Sequence, residues 1–111
     1  MKLKIFILFM FFFMSSNVVL AKQANTFGVG GVSCGTLISE LNDYPRTRVN
    51  EAWINGFLSG INATEYQGKS DVGANIDVDG RWQTVLQFCR QQPMKSIQEA
   101  AIDLYIKMFN Q

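Results

Sequence analysis

Apolar residues recur at helical spacing four times along this 111-residue chain. Cys34, Leu37, Ile38 and Leu41 stand at i, i+3, i+4 and i+7, one face of a helix. Ser33 precedes them as an N-cap. Asn42, Asp43, Tyr44 and Pro45 end the run, because the residue before a proline resists the α region. The second stripe is Val49, Trp53, Phe57 and Ile61, with Thr47 as its expected cap. Gly56 and Gly60 lie four apart beside it. Each costs a helix about 1 kcal/mol relative to alanine, so the spacing predicts a neighbouring helix backbone packed close against them. Trp82, Val85, Leu86 and Cys89 form the third stripe, capped by Asp79 and stopped before Pro93. The fourth opens on Ser96-Ile97-Gln98-Glu99, a capping box, and runs through Ile97, Ala101, Leu104, Tyr105 and Met108. Ala100, Ile102, Ile106 and Phe109 widen its apolar face. A helix so broadly apolar is central or covered by a partner, which points to a homodimer. No β-branched alternation is present, so the pattern predicts an all-α fold, a compact bundle of four to five short helices.

Between the second and third stripes, residues 65–79 break the periodicity with Gly68, Lys69, Ser70, Asp71, Gly73, Asn75, Asp77 and Asp79. A connection of about 14 residues exceeds most in small domains, and such loops often carry function. Glu65, Tyr66, Lys69, Asp71, Asn75 and Asp77 are therefore the candidate partner-binding loop.

The start of the chain follows another rule. Lys2 and Lys4 precede an apolar run holding five of the nine Phe, and Val19-Leu20-Ala21 offers small side chains at a cleavage site. Residues 1–21 read as a signal peptide, with 22–32 a flexible, glycine-containing lead-in and 33–111 a single helical domain. The apolar core of the leader is short against the roughly 20 residues that span a bilayer. Cleavage removes two Lys and no acid, so the formal charge moves from +1 to −1. Without basic clusters the chain has no electrostatic footprint for nucleic acid or for an anionic membrane.

Export changes the meaning of the cysteines. In an oxidising compartment two thiols on one small domain pair, so Cys34 and Cys89 are expected to form a disulfide between the first and third helices. With its ends 55 positions apart, such a link stabilises by roughly 4 kcal/mol on the chain-entropy account.

Little supports catalysis. The chain has no His, the commonest general base and a frequent zinc ligand. No enzyme activity and no cofactor are expected. Asn75, Asp77, Asp79 and Gly80 resemble the first half of a calcium loop, but its closing position is Leu86 instead of a bidentate Glu, so no metal site is assigned. Asn62-Ala63-Thr64 fits a glycosylation sequon and reads as a polar helix end.

Cys34 opening a short helix, the segment Trp53-Ile54-Asn55-Gly56-Phe57-Leu58-Ser59-Gly60, the turn Ile76-Asp77-Val78-Asp79-Gly80, and Phe88-Cys89 followed by Pro93 together resemble the small periplasmic acid-stress chaperones of the HdeA/HdeB type. A second resemblance is to the Rap/Tai immunity proteins of type VI secretion systems, also exported, helical and disulfide-bonded. The acid chaperones carry Lys-rich tails; here the final helix region holds Lys95 and Lys107. Both resemblances imply a non-enzymatic periplasmic protein-binding domain. The first implies a stress chaperone whose Trp53, Phe57 and Trp82, core residues or residues exposed on opening, meet unfolding clients. The second implies a rigid loop that inhibits a secreted cell-wall-degrading effector.

Overall fold

The computed structural model describes residues 25–64 and 66–111; the expected signal segment 1–21 and the candidate loop residue Glu65 lie outside the described residues. The described residues form four α-helices: α1 (Cys34–Ser39), α2 (Tyr44–Ala63), α3 (Val78–Gln91) and α4 (Ile97–Phe109). Among the described residues there is no β-strand, only an isolated antiparallel bridge between Ser33 and Ser96. The all-α bundle read from the stripes is the fold observed.

Helix α1 has six residues, too few to persist alone in water. Its unpaired N-terminal amides are satisfied from elsewhere. The Ser33 hydroxyl accepts from Thr36 N at 3.1 Å, Cys34 N donates to Lys95 O at 2.7 Å, and Gly35 N donates to Pro93 O at 2.9 Å. Ile97 N returns a bond to Val32 O at 2.9 Å. The start of α1 is thus laced to the turn between α3 and α4, and the Cys34–Cys89 disulfide fastens the same corner to α3. Both cysteines are fully buried, alongside Leu37, Val85 and Ile97.

Helix α4 follows its capping box as read: Glu99 N donates to the Ser96 hydroxyl at 3.1 Å and Ser96 N to the Glu99 carboxylate at 2.8 Å. Its core face is Ile97, Ala100, Ala101, Leu104, Tyr105 and Met108, packed on α3, α2 and α1. Ile102 and Ile106 remain exposed.

Helix α2 departs from expectation in three ways. It starts at Tyr44, capped by the Asp43 carboxylate accepting from Arg46 N at 3.1 Å. Pro45 therefore opens the helix, where its missing N–H is of no consequence; Thr47, the expected cap, instead donates its hydroxyl to Leu41 O at 3.4 Å. The buried stripe is Asn50, Ile54 and Leu58, one position on from Val49, Trp53 and Phe57. Val49 is exposed, and Trp53, Phe57 and Ile61 are half-buried at the margin of the core. Finally, a Cβ on Gly56 or Gly60 would meet nothing within 4 Å. Both glycines face outward, so no helix backbone is packed against them.

The cap of α3 also shifts. Asp77 caps the helix through Gly80 N at 2.6 Å, and Asp79 lies in its first turn, where a carboxylate complements the helix dipole. The expected lead-in is engaged with the domain from its described part onward: the 3₁₀ turn Gly28–Gly31 packs on α2 and α4. Only glycine fits at position 30, because a Cβ there would stand 2.1 Å from the Trp53 ring.

Candidate partner-binding surfaces

Helix α2 separates two surfaces, one aromatic and one polar. On the aromatic flank Trp53 and Phe57, one turn apart, stack with ring centroids 5.2 Å apart and planes 15° from parallel. The Trp53 indole N–H donates to Phe27 O at 2.8 Å, which draws the segment 25–27 alongside α2. Phe27 itself is 81% exposed. Phe27, Trp53, Gly56 and Phe57, with Asn25, Thr26 and Gln98 at the rim, line a mainly apolar groove of about 410 Å³. Gly56 keeps that groove open, since any side chain there would project into it. Trp82, grouped with Trp53 and Phe57 by the sequence, is elsewhere: it lines a small recess with Ile54, Val78 and Arg81.

On the polar flank lies the long connection, and it is tied down along its length. At the turn Tyr66–Gly68, Gln67 adopts φ 51° and Gly68 φ 76°. Tyr66 packs edge-on against Tyr105 and Phe109, with centroids 5.7 and 6.0 Å away. Lys69 donates its ammonium to Phe109 O at 3.0 Å and sits 4.1 Å from the Phe109 ring centroid, joining a helix C-terminus to a cation–π contact. Val72 is buried, and its carbonyl accepts from the Asn62 side-chain amide at 3.0 Å. The Asn62 oxygen in turn accepts from the Tyr105 hydroxyl at 3.4 Å. The sequon asparagine is thus a structural clasp between α2, the loop and α4. Gly73 (φ 81°) lies against Met108, whose sulfur would be 2.6 Å from an added Cβ.

The six candidate loop residues divide accordingly. Lys69 and Asp77 are committed to Phe109 and to the α3 cap, and Tyr66 is half given to the aromatic cluster. Asp71 and Asn75 are exposed. Glu65 lies outside the described residues. Because α3 begins at Val78, Asp79 turns with the helix and the calcium-like alternation of Asn75, Asp77 and Asp79 is broken. Among the described residues no three His, Cys, Asp or Glu side chains come together.

Two groups have shifted acidity. The hydrogen bond from Ser96 N, reinforced by Lys95 at 3.0 Å, holds the Glu99 carboxyl below the usual value of 4.5. Burial, with Tyr66 nearby, raises the Tyr105 phenol above 10.0.

Sequence reasoning missed Phe27 as a groove residue and Arg81 as part of the polar flank. Phe27 lies in a stretch without periodicity. Arg81 sits one position before Trp82, at the edge of a stripe, where a small rotation decides which surface it joins. No family model, curated protein or solved structure matches the chain.

Proposed function

We propose that this is a non-enzymatic, exported protein-binding domain of chaperone type, which takes apolar segments of unfolding polypeptides into the groove of Phe27, Trp53, Gly56 and Phe57. The groove supports this reading most strongly: two stacked rings and an exposed phenylalanine surround an open floor on a disulfide-fastened frame. Aromatic surfaces gain binding energy with little loss of side-chain freedom, and a mainly apolar lining suits clients that differ in sequence. The chaperone reading takes the periplasm as the working compartment, with which the disulfide is compatible. There, strong acid removes carboxylate charge while Lys and Arg stay positive, and self-repulsion loosens the fold. Glu99 acts in the same direction. Its folded-state pKa is lowered, so its contribution to stability is present above the unfolded value and lost as pH falls through the folded one. The helix it caps carries Gln98 at the groove rim.

A second reading, an immunity protein that blocks a cell-wall-degrading effector, is favoured by one observation: the loop is held by Lys69, Val72 and Asn62, so Asp71 and Asn75 project from a preordered ledge. Deleting the loop is not a clean test, because Val72 is part of the core. A photo-crosslinking residue at position 27 or at position 75 separates the readings. The chaperone reading expects adducts with an aggregating model client from position 27 and none from position 75. Adducts from position 75 alone, with a single periplasmic enzyme, would replace it by the immunity reading.

A further inference from the structure

The polar flank of α2 holds a second recess, distinct from the aromatic groove. It is a cleft of about 290 Å³ between α2, the loop and the first turn of α3. Its polar lining is Asn55, Ser59, Asn62, Ser70, Asp71 and Arg81, and Leu58, Val72 and Met108 supply apolar wall. Arg81 is unusual here. Every other Lys or Arg among the described residues is exposed, whereas Arg81 is half-buried. Its guanidinium is fixed by two neutral oxygens, Ile76 O from Nη1 and Asn55 Oδ1 from Nε at 3.4 Å. Among the described residues no carboxylate pairs with it. A half-buried, positioned guanidinium without a carboxylate partner among the described residues favours an anion, and a planar carboxylate suits its fork. Asp71, exposed and likewise in no ion pair with a described residue, lines the same cleft. The lining therefore offers one fixed positive and one negative group, with amides and hydroxyls around them.

We propose that this cleft binds a small zwitterion, an amino acid or dipeptide, with its carboxylate on Arg81 and its ammonium on Asp71. Asn55 and Ser70 flank the peptide or polar atoms, and a small side chain rests on Leu58 and Met108. Binding would bridge α2 and the loop, so it is independent of the aromatic groove. The test is a titration of L-alanyl-L-alanine into the oxidised protein, followed by the side-chain amide signals of Asn55 and Asn62 and the Arg81 Nε–H signal. Saturable shifts are expected. A charged hydrogen bond is commonly worth a factor of about 10 or more in affinity, so Arg81→Gln should weaken the dipeptide by at least that factor. Asp71→Asn should weaken the dipeptide similarly and leave N-acetyl-L-alanyl-L-alanine, which lacks the ammonium, unchanged. Asp71 is exposed, so this variant tests the site without disturbing the fold. Absence of saturable shifts in the wild type, or equal dipeptide affinity in Asp71→Asn, overturns the proposal.

Discussion

Replacing both Cys34 and Cys89 with alanine removes the cross-link while keeping small apolar side chains in two fully buried positions. The link spans 55 residues, and releasing that loop in the unfolded chain destabilises the fold by about 4 kcal/mol. For a domain of this size the thermal midpoint should fall by roughly 15–30 °C, and the guanidinium midpoint by roughly 2 M. The loss should have a location. Six-residue α1 depends on the disulfide and on the bonds Cys34 N to Lys95 O, Gly35 N to Pro93 O and Ile97 N to Val32 O. Amide exchange in the double variant should therefore open first over residues 34–39, before the centres of α3 and α4. Chemical denaturation followed by circular dichroism, with exchange read by NMR, checks both parts. A destabilisation below about 1 kcal/mol, or unchanged protection of α1, would refute the view that this bridge fastens the α1 corner.

Other outcomes follow from single positions. Gly56→Ala and Gly60→Ala should each stabilise by about 0.5–1 kcal/mol in thermal melts, because both sites are helical, exposed and open around a new Cβ. Destabilisation would restore the close helix contact that the GxxxG spacing suggests. Gly73→Ala should cost about 1–2 kcal/mol for a left-handed φ of 81°, apart from displacing Met108. In Glu99→Gln the wild type's stability advantage should be complete above pH 4.5 and close as pH falls below it, since the native carboxyl titrates lower. An advantage that persisted into strong acid would contradict the role given to the capping box.

Much of the fold was legible because its signals are local. The Ser96–Glu99 capping box, the Ser33 cap and the stripes of α1, α3 and α4 need only their own residues to be recognised, and two cysteines admit one intrachain pairing. The buried stripe of α2 lies one position on from the expected one because its largest apolar residues do not mark its core. Ile54 and Leu58 take the interior with Asn50, while Trp53 and Phe57 serve the turn Gly28–Gly31 and the groove. Periodicity finds an apolar face but does not say which neighbour covers it. Pro45 and Asp79 show the same limit at helix ends, where a terminator and a first-turn residue share a sequence signature. The groove needed Phe27, which reaches α2 through a tertiary bond from Trp53, 26 positions away.

The central claim is that the groove of Phe27, Trp53, Gly56 and Phe57 captures apolar segments. Gly56→Arg tests it directly: the position is open, so the helix tolerates the change, but the new side chain fills the groove. The measurement is light scattering of an aggregating model client at neutral pH, where the groove is formed, with wild type or Gly56→Arg, each checked for native helicity under the same conditions. The account predicts that the wild type suppresses aggregation and that Gly56→Arg does not. Equal suppression by both proteins, or none by the wild type, would contradict it.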